Sequence, residues 1–173
     1  MVGLQTELGY RVRAANAVQR AIQRVASTTP VAWMFSHSAR HLDAWVLRVT
    51  KGRATLSGVV AGIPVVMVTS TGRKSGQRRT SPLLGVPVGD DLALVGTNFG
   101  QRALPAWYLN LSANPHGEVT YRDRTVAVVA REAEAEEWDA VLQTAASIYP
   151  GYDAYRDRIR DRAIPVLVLE PAR

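Results

Sequence analysis

The sequence predicts an α+β fold in which helices come first, a run of short antiparallel strands follows, and further helices flank the strands. Three observations predict it. Apolar residues recur at helical spacing in the first fifty positions. From Ile63 onward, short apolar runs bounded by glycine and proline turns replace that pattern. Val126, Val128 and Ala130 then alternate with their neighbours as the wall of a barrel would. With 173 residues and 47% hydrophobic content, the chain suffices for one domain with a sizeable core and is too apolar for disorder as a whole.

The first predicted element runs from Glu7 to Val25, where Leu8, Val12, Ala15, Ile22 and Val25 share a face and Arg11, Arg13, Arg20 and Arg24 lie among the intervening positions. A basic amphipathic helix of this kind rests on an anionic membrane surface or covers its own domain, and the alanine-rich apolar face favours covering. A second helix is expected over Arg40–Thr50, with Leu42, Trp45, Val46 and Val49 on one face and Lys51-Gly52 closing it. His37 and His41 could share a helical face, but no cysteine, carboxylate or third histidine stands at a supporting spacing, so no metal site is predicted. The absence of cysteine also excludes disulfides and thiol nucleophiles and sets a reducing cytosol as the default. No stretch near the start resembles a secretion signal, and the longest apolar run, Val59–Val68, is broken by Gly62 and Pro64. The expectation is a cytoplasmic protein, with peripheral contact at the inner face of a membrane through the first helix as the open alternative.

Ile63–Thr69, Arg79–Val88 and Leu92–Thr97 read as three consecutive antiparallel strands, a meander, the last two joined through Gly89-Asp90-Asp91. A glycine-bracketed loop, Gly96-Thr97-Asn98-Phe99-Gly100, leads to a short helix that Pro105 opens and Asn114-Pro115 ends, and His116 after it reads as part of a turn. Glu118–Tyr121 and Thr125–Arg131 form a hairpin around Arg122-Asp123-Arg124. Glu132, Glu134, Glu136 and Glu137 crowd the start of a helix whose buried stripe is Trp138, Val141, Leu142, Ala145 and Ile148. That helix stops at Pro150-Gly151, a brief helical piece follows, and Ile164–Leu169 is a final buried strand.

Between the first two strands lies Thr71-Gly72-Arg73-Lys74-Ser75-Gly76-Gln77-Arg78-Arg79. Two glycines and Ser75 let the backbone turn tightly with its amide N–H groups exposed, and four cationic side chains crowd the same turn, which suits phosphate or carboxylate. Ala44–Gly89 holds seven bases and no acid; outside it, 14 bases meet 15 acids, so the formal charge of +6 is a local feature. Lys74-Ser75 lacks the Gly-Lys-Ser/Thr triplet of a phosphate-loop NTPase, and neither a Gly-x-Ser-x-Gly elbow nor a Gly-x-Gly-x-x-Gly turn occurs. Nucleic acid is not the expected partner, because no aromatic residues interleave the cations as a stacking platform requires. Tyr149, Tyr152 and Tyr155, spaced by three around Pro150-Gly151, either offer flat rings and hydroxyls to an aromatic ligand or form an amphipathic lid over the core.

The ordered set Val68–Gly76 with Arg79, then Pro105–Leu111 with Asn114-Pro115, Tyr149–Tyr152 and Ile164–Pro171 resembles the deazaflavin-dependent nitroreductase family, with order and spacing matching over roughly Ala54–Pro171. The resemblance implies an antiparallel split β-barrel related to FMN-binding oxidoreductases, over residues 54–173, preceded by a helical extension over 1–53. It implies coenzyme F420, an 8-hydroxy-5-deazaflavin with a phosphodiester and an oligoglutamate tail, as cofactor, and two-electron reduction of a small-molecule quinone, nitroaromatic or activated alkene. By the same match Arg73, Lys74 and Arg79, with Ser75 beside them, would meet the tail; Arg78 stands where relatives often have another residue such as proline. Gly96, Thr97, Asn98, Phe99 and Gly100 would lie against the deazaflavin ring, although Phe99 departs from the small or polar residues of relatives. Trp107 belongs to the helix that supports the pocket, and Tyr149, Tyr152 and Tyr155 match the tyrosines on the substrate side, where a phenol or water supplies a proton. The alternatives are an FMN-dependent split-barrel oxidoreductase and a non-catalytic deazaflavin carrier.

Overall fold

The computed structural model describes residues 2–12, 19, 63–159 and 162–173. The helix predicted over 40–50, His37, His41 and most of the first predicted helix lie outside these residues. Within them the strands are β1 (Val65–Thr71), β2 (Arg78–Leu84), β3 (Val86–Val88), β4 (Asp91–Val95), β5 (His116–Tyr121), β6 (Arg124–Glu132) and β7 (Val166–Pro171). The helices are α1 (Leu4–Leu8), α2 (Ala106–Ala113), α3 (Ala135–Ile148) and α4 (Gly151–Arg158). All neighbouring strands are antiparallel, in the order β2-β1-β5-β6-β7-β4-β3.

The expected meander does not form. Arg79–Val88 is interrupted at Gly85, so β2 pairs with β1 and β3 pairs with β4, at opposite ends of the sheet. Because a single residue joins those two ends, the sheet must curl until they meet, which makes the split barrel that the family resemblance implies. A side chain at the break would be crowded: a Cβ on Gly85 would stand 3.1 Å from the Tyr10 hydroxyl oxygen, and that hydroxyl donates to the Gly85 carbonyl.

Period-two alternation serves both faces of the wall. Leu92, Leu94, Leu167 and Leu169 point into the barrel with Val66, Val68, Val119 and Val128, whereas Ala93, Val95, Val166 and Val168 pack outward beneath α3 and α4. The predicted stripe of α3 holds, with Val141, Leu142 and Ala145 buried and Trp138 and Ile148 packed at its margins. Its start is secured by a capping box between Glu134 and Glu137, and Glu137 also takes a bidentate pair from Arg131 at 2.7 Å on each arm.

The amino-terminal segment differs from expectation. Instead of a helix running on from Glu7, α1 ends at Gly9, which adopts a left-handed φ of 61°, and Tyr10–Val12 are not helical. Leu4 and Leu8 are fully buried in the barrel core, and the ring of Tyr10 meets that of Tyr121 at 4.9 Å. Gln5 ties the segment down through its Nε2, which donates to the carbonyls of Gly89 and Asp91. Residues 4–10 thus pack with the barrel, with Leu4, Leu8 and Tyr10 joining its core at the end where Gly89 and Asp91 lie.

The registers place the functional candidates at the other end. Ser70 pairs with Gly117, His116 with Val129, Glu132 with Leu167 and Val95 with Val166. The β1–β2 turn, the start of β5, the end of β6, the start of β7 and the end of β4 thus share one rim, and α2 connects the end of β4 to the start of β5 across it.

Candidate functional site

The basic turn has a different construction from the one its glycines suggest. The N–H of Gly72 donates to the Gln77 carbonyl, those of Ser75 and Gly76 both donate to the Gly72 carbonyl, and that of Gln77 reaches the Ser75 hydroxyl at 3.4 Å. The Arg73 N–H donates to Asn110 Oδ1 at 3.1 Å. The amides predicted to be exposed are therefore largely consumed in shaping the turn, and an anion would be met by side chains instead. A Cβ at Gly72 would be crowded, 3.1 Å from the Gln77 carbonyl oxygen, with Ser75 Oγ at 2.9 Å having to turn away.

Arg73, Lys74, Ser75, Arg78 and Arg79 are all exposed. Arg78 is paired with Glu118 of β5, and the carboxylate pushes its pKa further up. Among the described residues no carboxylate pairs with Arg73, Lys74 or Arg79. Among the described residues the turn thus presents three cations without an ion pair and one that is already engaged.

Asn110, buried on α2, holds the turn to that helix: its Oδ1 accepts from Arg73 and its Nδ2 donates to Ser70 Oγ at 3.3 Å. The sequence alone does not single it out as a site residue. The available signal was a polar side chain three residues after Trp107, on the same helical face as Trp107 and Leu111, both of which are buried. Trp107 itself faces the barrel core.

The Gly96–Gly100 loop follows β4 on the same rim. Gly96 packs against Pro165 so closely that a Cβ would lie 2.6 Å from Pro165 Cγ, and its N–H donates to the Pro165 carbonyl. Thr97 is buried. Asn98, Phe99 and Gly100 all have positive φ, 48°, 57° and 82°. For the two that are not glycine this costs roughly 1–3 kcal/mol each, so the surrounding contacts must enforce it. Asn98 Nδ2 donates to the Ala103 carbonyl at 2.9 Å, and Arg162 Nη2 donates to the carbonyls of Gly96, Thr97 and Gln101. Phe99 is left 46% exposed, with its ring edge toward Tyr155 at 6.1 Å.

The three tyrosines are brought together. Their ring centroids lie 6.0–6.2 Å apart, and the hydroxyls of Tyr149 and Tyr155 are 3.3 Å from one another. Tyr149 and Tyr155 are buried and Tyr152 is half-buried, so the cluster belongs to the packed layer under α3 and α4 while its edge meets Phe99. Burial raises all three phenol pKa values above the ordinary 10, which keeps each hydroxyl protonated as a donor at neutral pH. The Arg158 guanidinium, 5.7 Å from the ring centre of Tyr155, works against that rise at Tyr149 and Tyr155.

A curled antiparallel sheet with helices over one outer face defines a split-barrel α+β protein. The model of the family described as F420H(2)-dependent quinone reductase matches residues 40–171. The F420H(2)-dependent quinone reductase Rv1261c of Mycobacterium tuberculosis is 30% identical over 112 residues, covering 61% of this chain and 72% of that protein. The solved structure of the F420-H2 dependent reductase FDR-A matches with a TM-score of 0.57 at 38% identity, over 62% of this chain and 94% of that one. A further structure, of a domain-swapped dimer, matches with a TM-score of 0.59 at 33% identity, over 82% of this chain and the whole of the other. The chain belongs to the F420H(2)-dependent quinone reductase family, and is an oxidoreductase whose reductant is reduced coenzyme F420. The FMN-dependent alternative gives way to this assignment. Among the described residues no helix is long and apolar enough to cross a membrane.

Proposed function

We propose that the protein reduces a quinone at the expense of reduced F420, and that nitroaromatics and activated alkenes are alternative acceptors of the same polarity. The observation that carries the reading is that one rim carries both three exposed cations with no carboxylate partner among the described residues and a glycine loop that is edged by a protonated tyrosine cluster. The donor set fits the cofactor. Its tail is a polyanion, and guanidinium and ammonium groups free of internal counter-charges form the stronger, charge-assisted hydrogen bonds with phosphate and carboxylate.

In this reading Arg73, Lys74 and Arg79, with the Ser75 hydroxyl, hold the phosphodiester and glutamate tail, while Asn110 fixes the turn that carries them. The backbone of Gly96–Gly100 flanks the ring, and Trp107 stiffens the helix beneath. When bound, the reduced deazaflavin supplies the hydride. The chain supplies position and a proton: Tyr149, Tyr152 and Tyr155 keep a proton on Oη, and one transfer from them or from water completes the two-electron reduction of a quinone to its hydroquinone. Phe99 and Tyr155 form an aromatic edge that excludes water beside the acceptor.

The test is a titration of the purified protein against F420 and FMN side by side, followed by oxidation of reduced F420 with menadione. Tighter binding of F420 and acceptor-dependent oxidation are expected. Tighter binding of FMN would overturn the cofactor assignment, and binding without oxidation by any acceptor would make the protein a carrier.

A further inference from the structure

We infer that Arg162 is a positioning residue for the reaction: its guanidinium clasps the Gly96–Gln101 loop by three backbone carbonyls and thereby sets the orientation in which that loop meets the deazaflavin ring. The inference rests on the reading above that this loop flanks the ring. The clasp itself is geometric. Arg162 Nη2 lies 3.2 Å from the carbonyl oxygen of Gly96, 3.3 Å from that of Thr97 and 3.0 Å from that of Gln101, and Nη1 donates to the carbonyl of Ala163, next in the chain, at 3.1 Å. One planar fork therefore joins the loop's entry, its first turn and its exit to the segment that leads into β7.

The surroundings are unusual for an arginine with a structural role alone. Its Nε is buried and has no hydrogen-bond partner among the described residues. No described carboxylate pairs with it: Glu132, which lines the same cavity of about 430 Å³, is engaged by the Tyr108 hydroxyl at 2.9 Å. The guanidinium is half-buried, and among the described residues its hydrogen-bond partners are all backbone carbonyls, which offset the partial loss of water around it. The loop they belong to needs an external restraint. Asn98 and Phe99 are held at positive φ, a conformation that a free loop of L-residues would leave. Since C=O and N–H point in opposite directions across a trans peptide, turning the carbonyls of Gly96 and Thr97 toward Arg162 also decides which way those peptide groups face on the side away from it. Lysine replaces this only in part, because its ammonium has no second nitrogen to bond the Ala163 carbonyl while the first meets the loop.

The experiment compares the native chain with Arg162→Met and Arg162→Lys. Hydrogen–deuterium exchange is measured on the cofactor-free proteins, and F420 affinity and the kcat and KM for menadione on the loaded ones. The clasp predicts that exchange at residues 96–101 rises by about tenfold or more in Arg162→Met while exchange in β1, β5 and β6 is unchanged. It predicts a kcat lower by roughly 10-fold to 100-fold from misplacement of the reacting groups, with KM for menadione little altered. Arg162→Lys should loosen the same peptides and recover only part of kcat. If Arg162→Met fails to fold, Arg162→Lys decides the matter alone, and native loop exchange in that variant overturns the inference. Loosened loop exchange with native F420 affinity and native kcat also overturns it, since Arg162 would then hold the loop without serving the reaction. Failure of the native protein to bind F420 would instead remove the functional reading, and the exchange arm would still report whether the clasp exists.

Discussion

Replacing Arg73, Lys74 and Arg79 together by alanine tests the assignment of the rim most directly. All three side chains are exposed and make no ion pair with a described carboxylate, so their removal leaves the fold with nothing unsatisfied. Arg78 does not substitute for them, because Glu118 already holds it. Each charge-assisted hydrogen bond to a phosphate or carboxylate contributes ~1.5–3 kcal/mol, which gives about 4.5–9 kcal/mol for three. Contacts to one polyanion are coupled, so the lower figure is the working one. At ~1.4 kcal/mol per decade it corresponds to a dissociation constant for F420 raised roughly 10³-fold. Cofactor fluorescence titrated against native and triply substituted protein, at low and high salt, reads the effect; the native complex should weaken with salt and the variant should have lost most of that dependence. A deazaflavin without phosphate or glutamate serves as control and should bind both proteins alike. Unchanged affinity for F420 in a folded triple variant, or an equal loss with the tail-less control, would refute the placement of the tail at this turn.

Three further outcomes follow from the packing. Tyr149→Phe, Tyr152→Phe and Tyr155→Phe keep the rings and remove the hydroxyls; the variant lacking the proton donor should lose about 10²-fold in kcat with little change in F420 affinity, and native rates in all three would leave water as the donor. Leu8→Ala should lower stability by ~2–5 kcal/mol, a fall of roughly 5–15 °C in the thermal midpoint, because Leu8 is 2% exposed within the barrel core; a native midpoint would return the segment to the role of an outer extension. In pH-dependent unfolding the two ends differ in sign. The Arg131 guanidinium and the Glu134 amide hold the Glu137 carboxyl down to about 2 from 4.5, so its contribution is present above pH 4.5 and is lost as the pH falls toward 2. Desolvation raises the pKa values of the Tyr10, Tyr152 and Tyr155 phenols, so their contribution is present below pH 10 and is lost as the pH rises beyond it. Glu137→Gln should flatten the acid limb in a urea titration series, and an unaltered limb would show that the pair contributes nothing there.

Local pattern was enough to announce the strands from Ile63 onward, the stripe of α3, the short helix after Pro105 and the cationic turn, because alternation, helical periodicity, proline and glycine act over a few residues and need no partner. The ordered motifs from Val68 to Pro171 were likewise sufficient for the family and its cofactor. What pairs with what was decided only in three dimensions. Arg79–Val88 reads as one strand, and only the pairings reveal that its halves join opposite ends of the sheet, with Tyr10 bonded at the break. The turn at Gly72 reads as a cradle of free amides until the Gly72 carbonyl and Asn110 are seen to take them. Glu118 stands forty residues from Arg78 and carries no mark of the ion pair that withdraws one cation from the rim. Arg162 lies in a stretch crowded with arginines, and its selection from among them is a matter of which guanidinium the end of β4 and the start of β7 enclose. Periodicity records the faces of an element, whereas long-range hydrogen bonds and ion pairs depend on register and curvature, which the whole sheet settles at once.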